Sequence, residues 1–102
     1  MKLEDLTMKP IENLKGGNGT VYCSNNFPAG DTVMCCMRLG PGVSIGMHSH
    51  PQGEELYCVL EGGYATINGE KTKMAICRAG EEHDCINETD KDLLLLSVQP
   101  IM

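Results

Sequence analysis

Apolar positions in this chain fall in short stretches, each closed by Gly, Pro, Asn or Asp. Twelve Gly and five Pro punctuate 102 residues, so there is little room for helices. Such patterning predicts many strands and few helices. The first stretch, Leu3 to Leu14, is the single helical candidate, and Pro10 interrupts it. Beyond the loop at Lys15 to Gly19, strands are predicted at Thr20 to Cys23 and, after a turn at Pro28 to Asp31, at Thr32 to Leu39. The turn Gly40-Pro41-Gly42 leads into Val43 to His50, and Pro51-Gln52-Gly53 into Glu55 to Leu60. Asn68-Gly69 marks a two-residue hairpin between Tyr64 to Ile67 and Glu70 to Lys73, because both central residues of such a turn need positive φ. Strands at Met74 to Cys77, His83 to Asn87 and Leu93 to Val98 complete an all-β sandwich or barrel.

Strand alternation then brings chemistry together. Residues two apart share a face, so His48 and His50 project together, with the small Ser44 and Gly46 beside them and Val43, Ile45 and Met47 turned toward apolar packing. The next strand puts Glu55, Tyr57 and Val59 on one face and Leu56, Cys58 and Leu60 on the other. Both faces are apolar enough to place it inside, where a carboxylate costs several kcal/mol unless a cation or donors compensate it. Neutral imidazoles cannot neutralise Glu55; a divalent metal ion can. Imidazole nitrogens with one carboxylate oxygen suit first-row divalent ions, and His83 would complete a three-nitrogen, one-oxygen set with open positions left for a ligand.

The stretch Gly42-x5-His48-x-His50-x4-Glu55-x6-Gly62 resembles the first motif of the cupin family, with every fixed position filled. The motif's spacing admits either Glu54 or Glu55; the count to Gly62 and the face shared with Tyr57 and Val59 select Glu55. Gly80-x2-His83-x3-Asn87 resembles the latter half of the second cupin motif, while Thr72 and Arg78 stand where that motif has Gly and Pro. The segment between the motifs is short, which implies that a strand there is reduced or fused. The resemblance covers about residues 20 to 99. It implies a small cupin-type β-barrel, a double-stranded β-helix of jelly-roll topology, over 20–102 with a short N-terminal extension over 1–19 that forms an edge strand or is swapped. It also implies one divalent metal ion on His48, His50, Glu55 and His83, with Mn, Fe or Ni favoured and Zn, Co or Cu allowed. Small cupins commonly pair as homodimers, and the Leu-rich C-terminal strand would make a poor free edge.

Two functions fit such a site. One is a metalloenzyme acting on a small oxygen-rich chelating substrate, an isomerase, decarboxylase or dioxygenase with the metal as Lewis acid or redox centre. The other is a non-catalytic module that binds or senses a small metal-held ligand. For catalysis the candidates are Glu55, which can leave the metal to act as a base, Tyr57 as a donor beside the ligands or a core aromatic, and Cys85, which shares the face of His83. Met34, Met37, Met47 and Met74 read as core filler, and Glu81, Glu82 and Asp84 as a solvated loop and outward face.

Composition narrows the partners. Eight Lys and Arg against fourteen Asp and Glu give a net charge of −6, which disfavours nucleic acid and anionic membranes. The apolar runs Val33 to Met37 and Leu56 to Leu60 fall far short of the roughly 20 residues of a spanning helix. Acids in Met1 to Leu6 are unlike a signal peptide, so the expected address is cytoplasmic. Six cysteines without a Cys-x-x-Cys pair then read as reduced, mostly buried thiols, not as a disulfide scaffold or a zinc knuckle.

Overall fold

The computed structural model describes residues 2–51 and 53–100. Eleven strands alternate with turns: β1 (Lys9–Glu12), β2 (Thr20–Cys23), β3 (Phe27–Ala29), β4 (Thr32–Leu39), β5 (Ser44–His48), β6 (Glu55–Glu61), β7 (Ala65–Ile67), β8 (Glu70–Thr72), β9 (Met74–Cys77), β10 (His83–Ile86) and β11 (Leu93–Pro100). They form two antiparallel sheets. The larger runs β1-β2-β4-β11-β6-β9, with β3 also on β4; the smaller runs β5-β10-β7-β8. Val21, Leu39, Tyr57, Leu93 and Leu95 from the first sheet pack on Ile45, Ala65, Ile67 and Cys85 from the second, so the core lies between the sheets. The turn at Pro51 to Gly53 contains Gln52, which lies outside the described residues.

The predicted helix at Leu3 to Leu14 does not form. That segment makes a short 3-10 turn at Leu3–Asp5, the strand β1, and a second 3-10 turn at Leu14–Gly16. Pro10 explains the choice: it has no N–H for a helix, whereas an edge strand tolerates it, and here it pairs with Tyr22. The turn predicted at Pro28 to Asp31 also contains strand, since Phe27–Ala29 pairs with β4.

Between the two motifs the strands are short and nearly continuous, as expected, but they belong to different sheets: β8 pairs with β7, and β9 with β6. The chain changes sheet at Lys73. The Thr72 hydroxyl donates to the Met74 carbonyl at 2.6 Å and accepts from the Met74 N–H at 3.1 Å, closing the corner. β11 is not a free edge, because it pairs with β4 along one side and β6 along the other. Nor is β6 covered on both faces. Leu60 is exposed, and beside it on β9 Met74 and Ile76 are 60% and 64% exposed, so Met74 is surface and not core. Met37 is buried as expected.

The last residue of each motif has a structural reason. Gly62 stands at φ +106°, and a Cβ there would lie 2.2 Å from the Asp92 carbonyl oxygen. Asn87 is fully buried. Its amide donates to the Leu39 and Lys91 carbonyls at 2.9 and 2.7 Å, and its Oδ1 accepts from the Thr89 N–H and hydroxyl at 2.9 and 2.7 Å. One side chain thus ties the end of β4 to the loop that leads into β11. Asn87→Ala is expected to lower the unfolding free energy by about 1–3 kcal/mol in a urea titration, since it removes the side-chain donor from the buried Leu39 carbonyl; an unchanged midpoint would show the network to be dispensable.

Candidate metal centre

The face that carries the histidines is set by an irregularity in β5. His83 opposes His48 and Cys85 opposes Ile45, so three steps along β5 match two along β10. The extra residue makes a bulge. Ile45 and His48 therefore both turn inward, Met47 is 53% exposed, and Gly46 faces the segment Lys15 to Gly17. This corrects the simple alternation, which placed Ser44 and Gly46 beside His48 and buried Ile45 and Met47 together. Ser44 instead accepts a hydrogen bond from the Asn18 N–H at 2.9 Å. A Cβ on Gly46 would lie 2.1 Å from the Lys15 carbonyl oxygen, and one on Gly17 2.1 Å from that of Ser44, so both contacts require glycine.

The same bulge orients an imidazole. His48 Nδ1 lies 2.8 Å from the Gly46 carbonyl oxygen, which can only accept, so Nδ1 carries the proton and Nε2 of the neutral ring presents a lone pair. Burial lowers the pKa of His48, and the bond to the Gly46 carbonyl and the nearby Glu55 carboxylate oppose it without cancelling it.

Three Nε2 atoms converge on one oxygen. His50, His83 and His48 stand 2.8, 3.0 and 3.8 Å from Glu55 Oε1, and the four donor atoms all lie within 4.8 Å of one another. Ligands held about 2.1 Å from one ion are separated by about 3.0 Å when adjacent and about 4.2 Å when opposite, so this cluster is slightly wider than a coordination shell and would draw in around an ion. The other oxygen of Glu55 is occupied: the Ser97 hydroxyl donates to Oε2 at 2.5 Å. Burial pushes the Glu55 pKa up, but the Ser97 bond and the contacts with His50 and His83 outweigh it and leave the carboxyl below its ordinary value. Glu54, the alternative the spacing allowed, points outward 3.6 Å from Arg78. The four residues could hold a divalent ion.

The model of the cupin domain matches residues 35–99. This chain belongs to the cupin domain family. An oxalate-binding protein of Thermotoga maritima is 28% identical over 109 residues, spanning 96% of this cupin and 90% of its own length. The crystal structure of a predicted oxalate decarboxylase from Thermotoga maritima superposes with a TM-score of 0.84 at 26% identity, covering 99% of this chain and 97% of that one. A protein with a double-stranded β-helix domain from Klebsiella pneumoniae shares the fold at a TM-score of 0.71 and 22% identity, over 98% and 87% of the two chains.

His48 and His50 of this cupin open on a cavity of about 430 Å³, which His83 does not line. His48, His50, Glu55, Tyr57 and Ser97 form its polar end, and Ile11, Leu14 and Lys15 of the N-terminal segment form a wall. Tyr57 is buried with its ring centroid 5.8 Å from that of His83. Burial, then the Glu55 charge, raises its pKa, so the phenol keeps its proton and can donate a hydrogen bond. Cys85 is fully buried in the core, outside the cavity lining, and burial pushes its thiol up to about 12, which fits packing and not chemistry. Val59 also stays with the core. Sequence reasoning missed Ser97, whose signal is a hydroxyl directly after the apolar run Leu93 to Leu96, and it missed the wall contributed by Ile11, Leu14 and Lys15.

The shifts at His48 and Glu55 have the same sign. A group whose folded pKa lies below its unfolded value stabilises the fold above the unfolded value and loses that contribution as pH falls. Thermal melts of metal-free protein should therefore show stability declining from about the ordinary histidine value of 6.5 downward, with a further loss below the ordinary carboxyl value of 4.5. A melting temperature constant from neutral to acid pH would contradict the neutral His48 and ionised Glu55 described above.

Proposed function

We propose that this cupin binds one divalent transition-metal ion through His48, His50, Glu55 and His83 and acts on a small oxygen-rich chelating acid in the adjoining cavity, oxalate and its close analogues first. The observation that carries this reading is the convergence of three imidazole Nε2 atoms and one buried carboxylate oxygen at the end of an open cavity. When bound, the ion supplies Lewis acidity or a redox couple toward oxygens of the acid. Around it the chain's own groups bind and orient. Ser97 fixes Glu55, the Gly46 carbonyl fixes His48, Tyr57 stays a hydrogen-bond donor, and Lys15 offers a cation on the cavity wall. Glu55 could serve as a base on leaving the ion.

A decarboxylase, isomerase or dioxygenase activity is the reading we place first. Reversible binding without turnover is the second, favoured by the name of the oxalate-binding relative from Thermotoga maritima. Calorimetry with Mn(II), Fe(II), Ni(II), Zn(II), Co(II) and Cu(II), followed by oxalate, tests both. One equivalent of metal is expected, with oxalate heat only in its presence. His48→Ala with His50→Ala should abolish metal retention, and equal metal content in that double variant would overturn the site. Release of carbon dioxide or another product identifies an enzyme; binding alone identifies the second function.

The proposal extends to a cytoplasmic homodimer. All six cysteines are free, which suits a reducing compartment. The β9 edge carries exposed Met74 and Ile76 beside Leu56 and Val98, an apolar surface that a second copy would cover. Sedimentation equilibrium should report a dimer that Ile76→Lys dissociates; a monomeric parent chain would remove this part.

A further inference from the structure

His83 is held differently from His48. It is fully buried, its Nε2 meets Glu55 Oε1 at 3.0 Å, and its Nδ1 has no hydrogen-bond partner among the described residues. A metal-binding imidazole normally donates from its second nitrogen to a carbonyl or carboxylate, which fixes the ring. His48 follows that rule through the Gly46 carbonyl. For His83 the aim of the ring depends instead on packing and on how firmly its backbone is held. On one side that backbone pairs with β5, where His83 opposes His48. On the other side lies β7, and there the pairing is brief, with Ile86 opposite Thr66. Continuing that register by two residues brings Asp84 opposite Asn68. Asn68, however, opens the Asn68-Gly69 turn at φ +51°, so its backbone has left the strand. Side chains take over from the ladder. The Asn68 N–H donates to Asp84 Oδ1 at 2.8 Å, and the Asp84 N–H donates to Asn68 Oδ1 at 3.1 Å. The Asn68 carboxamide also donates to the Glu82 carbonyl at 3.1 Å. One asparagine thus grips the residue before His83 and the residue after it.

We propose that Asn68 is a positioning residue for His83. From the tip of the β7–β8 hairpin it holds the backbone on both sides of that ligand and keeps Nε2 aimed at the point where the other ligand atoms meet. This role rests on the metal site proposed above. Asn68 is exposed, and it does not line the cavity on which His48 and His50 open, so it acts through His83 and not on a bound acid. Its three hydrogen bonds lie at the surface, where water can replace them, and they add little to overall stability. Their effect is on direction, because a small twist of the chain at His83 is carried along the side chain to Nε2. The grip also gives this asparagine a reason that the turn alone does not. Glycine would serve the positive φ equally well, but it could not reach Glu82 or Asp84.

The test uses the full chain and the variant Asn68→Gly, which removes the grip and keeps the turn. In metal-free protein the Asp84 amide should exchange its hydrogen faster in this variant, with the melting temperature and circular dichroism unchanged. Titrated with Zn(II) or Ni(II), the variant should bind about tenfold more weakly than the parent, the scale on which partners of a metal-bound histidine act. Asp84→Asn keeps the acceptor for the Asn68 N–H without the charge, and should bind metal as the parent does. In a His83→Gln background, Asn68→Gly should cost nothing further. With Cu(II) bound, nitrogen hyperfine structure should report three imidazoles in the parent and a weakened third in Asn68→Gly. Equal metal affinity and equal hyperfine structure in the parent and Asn68→Gly would overturn the proposal. So would an equal loss in Asp84→Asn, which would trace the effect to charge, or a loss that persists in full without His83, which would trace it to a general loosening of the hairpin. A parent chain that retains no metal would overturn the metal site itself, and this role with it.

Discussion

A carboxylate that is almost out of reach of water organises the functional end of this molecule. Glu55 lies on an inner strand, where its charge has a high cost unless donors surround it. The two oxygens are divided between them: Ser97 from β11 takes Oε2, and imidazoles from β10 and from the end of the β5 segment gather at Oε1. The Ser97 bond comes from the same sheet as Glu55, while His48 and His83 come from the opposite one, so the carboxylate joins the two sheets at the point where the apolar core stops. On one side of this junction lies the core cluster, and on the other a cavity that mixes polar groups with Ile11, Leu14, Met37 and Ile45.

That division depends on features far from the histidines in sequence. The bulge in β5 turns His48 inward, and the bulge is held from outside by the N-terminal segment, whose backbone touches β5 where neither chain has a side chain. Residues before β2 therefore do more than extend the sheet, for they support the strand that bears His48 and supply part of the cavity wall. The opposite wall comes from the inward positions of β4, including Cys35 and Met37. The cavity is thus built from β1, β2, β4, β5, β6 and β11 together, with His48 and His50 in its lining.

Much of this was legible in the sequence, for identifiable reasons. Turn residues bounded the strands well, and β2, β4 and β9 fall where the punctuation placed them. The four residues of the cluster were legible because their spacing is a motif and because a carboxylate on an apolar strand calls for compensation. The side-chain faces of β5 were not, because one extra residue reverses every face beyond it and only Gly46 hints at its presence. The wall at Cys35 has its own signal: alternation along β4 puts Thr32 and Arg38 on the face of Met34 and Cys36, and leaves Val33, Cys35, Met37 and Leu39 as the wholly apolar face that looks inward. Pro10 was read as a break in a helix when it equally suits an edge strand. Ser97 needed the register between β11 and β6, which brings Tyr57 opposite Ser97 and the carboxylate within reach.

The position of β11 has a consequence for how the chain is made. It is the last of the described strands, yet it lies in the middle of the larger sheet between β4 and β6. Until it emerges from the ribosome, both of those strands present open, apolar edges, and the sheet exists only as two halves that cannot join. Each bond that β11 makes closes contacts across more than thirty intervening residues on either side, from Leu95 to Met37 and to Val59. A nascent chain halted just before Leu93 would hold all three histidines and Glu55 but lack the serine that fixes the carboxylate, and its two unpaired edges would be the surface on which neighbouring nascent chains meet.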